Sequence, residues 1–227
     1  MKKLLALLMA LLPGLAKPDG NKLGSENDPV RQMLFASQGL KEQVERIHPS
    51  GSPGPFQVII DASKLVDDGK KAEAVALLRG ILDTPELEIR IVLWIWSALR
   101  ELGTSPEPKY AYEVLGVIVE FPSGDSYDTL AAYVDGTARY LNFSGRAIFW
   151  DSPDAPIKGL CQSLVDFAIP ASSRATPRKN LALPKHGGQV TLLTRSGIFV
   201  IKDPPDSVIS AGAALMMELI KRTKEKP

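Results

Sequence analysis

At 227 residues, of which 44% are hydrophobic, the chain is long enough to bury a sizeable core in one or two domains. Its 27 basic and 26 acidic side chains nearly cancel. That balance excludes the broad positive field of a protein whose main work is binding nucleic acid or an anionic membrane. One cysteine, Cys161, excludes an internal disulfide framework, and two histidines leave too few soft ligands for a structural zinc site.

The chain begins "MKKLLALLMALLPGLAKPDG": Lys2 and Lys3, apolar Leu4 to Leu12, then Gly14-Leu15-Ala16. This is the pattern of a signal peptide cleaved after Ala16, and also of an uncleaved apolar helix that docks on the domain or a partner. The apolar run is too short to anchor the chain across a bilayer, so no integral membrane span is expected. With its polar, glycine-bearing tether this leader makes up residues 1–28. A helix from Pro29 to Ile47 is expected next, with Asp28 as N-cap and Pro29 in the first turn, and "HPSGSPGP" (48–55) breaks it.

From Phe56 the apolar period is helical. Ile59, Ala62, Leu65 and Val66 share one face, Gly69-Lys70 reads as a turn, and Ala74, Leu77, Leu78, Ile81 and Leu82 form a second stripe. Glu86 to Gly103 reads as a third helix. The spacing of "ASKLVDDGKKAEAVALLRGILDTP" resembles a tetratricopeptide-repeat helix hairpin over residues 56–103, with Ala62, Gly69, Ala74 and Leu78 at the packing and turn positions. That resemblance implies a helical region, 29–110, and a general use in binding protein. Fewer than three such units rarely stand alone, so these helices are expected to pack on the rest of the chain.

Past Tyr110 the pattern becomes that of strands. "VLGVIVEF", Val114 to Phe121, suits a strand covered on both faces. Strands follow near Asp128–Val134, Thr137–Phe143 and Arg146–Asp151, with turns at Asp135-Gly136 and Ser144-Gly145. Read as two-residue turns, these place Leu130, Leu141 and Ile148 in one row and Ala132, Arg139 and Trp150 in the next. Arg139 would then stack on Trp150, while Tyr140 lies on the other face. "APIKGLCQSLVDFAI" is an amphipathic helix, residues 170–188 a proline-marked loop, and "QVTLLTRSGIFVI" a hairpin turning at Ser196-Gly197. A last helix follows Pro205 with the stripe Val208, Gly212, Leu215, Met216 and Leu219. The order argues an α+β class with a mostly antiparallel sheet, residues 111–227.

Candidate chemistry is sparse. Arg139, Tyr140 and Trp150 could form an anion or peptide contact, set against a half-buried sheet arginine whose stem covers apolar surface. Arg178 and His186 stand in the basic loop "SSRATPRKNLALPKHGG", which could grip an acidic partner or remain a solvated connection. Cys161 shares the stripe of Ile157, Leu160 and Leu164, which is a core position and not that of a nucleophile. "HGGQ" (186–189) has no Gly-x-Ser-x-Gly elsewhere to complete a hydrolase site. Asp125, Asp128, Asp135, Asp151 and Asp154 match no calcium loop, and no phosphate-binding or dinucleotide motif is present, so no cofactor or metal is expected.

The favoured expectation is a non-catalytic interaction or scaffold protein whose partner is another protein; Trp94 and Trp96, two apart and so on different helix faces, are candidates for one core residue and one exposed anchor. The alternative is a small hydrolase, transferase or ligand sensor with a site between the sheet and the 170–188 loop, using Arg139, Arg178, His186 and an aspartate. The pairing of "VLGVIVE" with "LAAYVDGTARYLNFSG" behind a short helical front resembles a family of uncharacterised bacterial proteins. That resemblance implies a cytoplasmic location and no particular activity.

Overall fold

The computed structural model of the chain describes residues 28–46, 54–124, 126–152 and 154–225. Both readings of residues 1–16, the tether up to residue 27, the break at 48–53 and Asp125 therefore lie outside the described residues.

The N-terminal layer is helical: α1 (Pro29–Leu34), α2 (Leu40–Arg46), α3 (Pro55–Asp67), α4 (Lys71–Ile81) and α5 (Ile89–Glu101). Asp28 caps α1 as expected, its carboxylate accepting the amides of Val30 at 2.8 Å and Arg31 at 3.4 Å. The single helix expected over 29–47 is two helices. Ala36 takes a left-handed φ of 46°, and the Glu101 carboxylate accepts the Leu40 amide at 2.6 Å, which fixes a new helix start. Helices α3 and α4 form the expected antiparallel hairpin around Gly69, whose φ of 75° suits glycine. Ala62, Ala74 and Leu78 are fully buried there.

The sheet has seven strands in the order β4-β3-β2-β1-β6-β7-β5, and every neighbouring pair is antiparallel. They are β1 (Val114–Ser123), β2 (Ser126–Tyr133), β3 (Ala138–Leu141), β4 (Ala147–Trp150), β5 (Ala175–Pro177), β6 (Gln189–Thr194) and β7 (Gly197–Ile201). The class is α+β. Strand β5 falls inside the stretch expected to be loop, and the last hairpin turns at Arg195-Ser196, one residue before the expected turn.

Alternation along the strands gives the sheet two apolar faces. The front carries Ile118, Ala131, Tyr133, Leu141 and Leu193 into one core with the N-terminal helices. The back carries Val117, Val119, Leu130, Ala132, Ala138, Tyr140, Trp150, Val190 and Leu192 against α6 (Ala155–Ala168) and α7 (Asp206–Glu225). Val208, Leu215 and Leu219 of the expected α7 stripe are fully buried, and Gly212 lets the helix backbone approach Val119 and Phe121. Among the described residues no helix is long and apolar enough to cross a membrane.

Candidate functional site

The meander of β2, β3 and β4 departs from the expected register, and the departure decides where Arg139 points. Tyr133 pairs with Thr137 and Asn142 with Arg146, so each connection is a three-residue loop, Val134-Asp135-Gly136 and Phe143-Ser144-Gly145. In both, the glycine takes a positive φ, 87° and 83°, after a turn closed by an i to i+3 hydrogen bond. The two extra residues cancel between β2 and β4, which keep the expected alignment. The strand between them is flipped. Arg139 pairs with Ala131 and Phe149 on the front face, while Tyr140 pairs with Leu130 and Ile148 on the back. The expected stack of Arg139 on Trp150 is therefore wrong: Arg139 lies over the Phe149 ring, and the cation over Trp150 is Arg222.

On the front face Arg139 is 1% exposed and sits in a neutral cluster of two arginines and two carboxylates. Glu88 Oε1 accepts from Arg90 Nε and Arg139 Nη2, both at 3.0 Å, and Asp151 forms an ion pair with Arg139. Arg139 Nη1 also donates to the carbonyls of Ala138 and Trp150. Arg90 rests on Trp94, 5.3 Å from its ring centre. Burial alone would raise the Glu88 carboxyl, but the adjacent Arg90 and Arg139 charges outweigh it and hold it below its ordinary value. For Asp151 burial wins and Glu88 adds to it, so its carboxyl is raised. The Asp135 turn joins the same region, its Oδ2 accepting the Ile89 amide at the start of α5. This cluster fastens the helical layer to β3 and β4. It presents no activated nucleophile.

A second buried cluster surrounds Glu120, which sequence reading passed over. Glu120 follows Gly116 and Ile118 on the front face of β1 and is fully buried. Its carboxylate accepts from Arg31 Nε at 3.2 Å, from Arg31 Nη2, from Arg178 Nη1 at 2.8 Å and from Gln189 Nε2 at 3.3 Å. Arg31 also donates to the Leu181 carbonyl at 2.7 Å. Arg178 donates to Thr191 Oγ1 and to the carbonyls of Asn180 and Ala182. Both guanidiniums stack on Phe35, at 5.2 and 4.7 Å. Arg178, expected in a loop that reaches outward, points inward and pins residues 178–189 to the sheet. A carboxylate within an apolar strand covered on both faces was the available signal, because such a charge has to be paired.

The remaining expected residues lie apart. The Tyr140 hydroxyl donates to Asp128 Oδ2 at 3.0 Å on the back face, and burial together with that carboxylate pushes it up. Trp150 is buried on the same face. His186 is exposed in its loop and shares no partner with Arg139 or Arg178. Cys161 is buried, its thiol donating to the Gly136 carbonyl at 3.4 Å, and burial pushes it up to about 12. Among the described residues no group of three metal-ligating side chains comes together. Trp94 is the core member of the expected pair, 1% exposed and packed edge-on against Phe56, whereas Trp96 is half-buried against the helical core and is not the exposed anchor expected.

Phe143 and Phe167 are exposed singly, and two exposed aromatic rings stand close together where residues 109–113 run beside the β6–β7 turn. Tyr112 is 68% exposed and Tyr110 46%. Tyr112 meets Phe199 edge-to-face at 5.7 Å, and Lys109 and Arg195 lie over the Tyr110 ring at 4.5 and 5.6 Å. The segment is held in place: the Ser196 amide donates to the Ala111 carbonyl, Arg195 pairs with Glu113, and Arg100 donates to the Arg195 carbonyl. No family model matches the chain, and comparison with curated proteins and with solved structures gives no match either.

Proposed function

We propose that the protein is a non-catalytic binding module that contacts another protein through Tyr110, Tyr112 and Phe199, flanked by Lys109 and Arg195. The observation that carries this reading is the fixed exposure of two neighbouring tyrosines. Each large ring left in water sacrifices burial worth roughly 25 cal/mol per Å² of apolar surface. Here the rings are also braced by an aromatic contact, two cations and the Ser196–Ala111 hydrogen bond. Tyrosine and arginine on a pre-ordered backbone are the residue types that dominate binding hot spots, because they add contact area at little entropic cost. The side chains offered earlier for catalysis, Arg139 and Arg178, are consumed in buried ion pairs.

A photo-crosslinking residue placed at Tyr112 in the native host tests this directly. A discrete adduct at position 112, missing from the same probe at exposed Lys158 and reduced by Tyr110→Ala, is the expected result. Identical adducts at 112 and 158, or none at either, would overturn the proposal.

A further inference from the structure

The two ends of the sheet are guarded unequally. At one end β5 is three residues long and closes with Pro177, which has no amide to offer a new strand. At the other, β4 reads Ala147-Ile148-Phe149-Trp150 without a proline, a lysine or a bulge. Because Asn142 and Arg146 form a hydrogen-bonded pair, alternation makes Tyr140–Ile148 and Ala138–Trp150 bonded pairs as well. Ala147 and Phe149 therefore aim their N–H and C=O groups away from β3. No described group takes them. Arg146 and Ala147 are exposed, Ile148 and Phe149 are half-buried, and Phe143 at the hairpin tip is 50% exposed, so the edge is open to solvent.

We propose that this edge pairs with the same strand of a second copy, antiparallel about a two-fold axis through Ile148. The strand is complementary to itself in that register. Ala147 and Phe149′ would exchange two backbone bonds, and Phe149 and Ala147′ two more, so that all four outward residues of the pair are satisfied. On the front face each small Ala147 leaves room for the Phe149 ring of its mate. On the back face Ile148 meets Ile148′. Antiparallel pairing also sets exposed Arg146 of one strand opposite Trp150′ and away from the Arg146 of the other copy. A parallel pairing would instead put like charges together. An isologous contact of this kind closes at two subunits and joins the two sheets into one.

Four backbone bonds make a small interface of the transient class, so association is expected to grow across roughly 10 µM to 1 mM. Sedimentation velocity of the full chain over that range tests it, with Ala147→Pro as the blocking variant. That substitution removes an outward amide and no bond within the sheet, so the fold should be kept. Ala147→Lys serves the same purpose if the proline variant misfolds. The geometry is tested by Ile148→Cys under oxidised glutathione. Ile148 and Ile148′ form a non-bonded pair with Cα atoms about 4.5 Å apart, within disulfide reach, and buried Cys161 does not compete. Expected are a concentration-dependent dimer weakened at least tenfold by Ala147→Pro or Ala147→Lys, and a cross-linked dimer for Ile148→Cys but not for Phe143→Cys. A wild type that stays monomeric throughout, or a dimer that ignores both blocking variants, would overturn the proposal.

Discussion

Glu120→Gln is the most informative single perturbation, because the side chain is fully buried and its volume hardly changes. In the wild type the carboxylate holds two guanidiniums that are 0% and 5% exposed. The amide would remove the charge and turn one acceptor into a donor facing donors. Arg178 keeps Thr191 and two loop carbonyls, and Arg31 keeps the Leu181 carbonyl and its place on Phe35, but both lose the carboxylate they share. Removing one charged partner from a buried ion pair costs about 3–5 kcal/mol in comparable cases. Urea unfolding followed by tryptophan fluorescence should show that loss as a lowered midpoint with little change in slope. Replacing the whole cluster, Glu120→Leu with Arg31→Met and Arg178→Met, should recover at least half of it, since apolar packing substitutes well for a buried ion cluster. A Glu120→Gln cost below about 1 kcal/mol would refute the reasoning, for it would mean that both guanidiniums find other counter-charge or water.

Other outcomes follow from the same structure. Glu88 is held below its ordinary value, so its contribution is present above the usual glutamate pKa of about 4.3 and is lost as pH falls through the folded value. Glu88→Gln should therefore destabilise the protein most near pH 7, with the difference from wild type shrinking below about pH 4 in parallel thermal melts. Cys161, pushed up to about 12 by burial, should resist thiol reagents at pH 8 in the native protein and react fully in denaturant. Gly116→Ala should cost roughly 1–3 kcal/mol in urea unfolding, since a Cβ there would lie 2.9 Å from the Tyr133 ring and 3.1 Å from the Ala132 carbonyl. Tyr133 cannot swing away freely, because its hydroxyl donates to the Leu34 carbonyl at 2.9 Å.

Much of the architecture was legible because it rests on short-range physics. The Asp28 cap, the Gly69 turn, the doubly covered run Val114–Phe121 and the α7 stripe each follow from local conformational preference or apolar period. The meander shows where that legibility stops. Asp-Gly and Ser-Gly mark a turn whether the loop holds two residues or three, since both forms need a glycine at positive φ. The choice exchanged the faces of Arg139 and Tyr140, and with them the contacts expected between Arg139 and Trp150. Here the Asp135 carboxylate accepts the Thr137 amide on one oxygen and the Ile89 amide of α5 on the other, so a distant helix takes part in the turn.

The sequence by itself determined the α+β class, most of the strands, the core stripes and the burial of Cys161, because each depends on residues within a few positions of one another. Tertiary structure alone decided the rest. Glu120 meets Arg31 and Arg178, and Arg139 meets Glu88, across separations of 51 to 89 residues. Charge neutralisation in a buried layer acts through space and leaves no period in the chain. Likewise Tyr110 and Tyr112 stay exposed while Trp94 is buried, because exposure is set by which helices and strands happen to cover a side chain and not by how apolar it is.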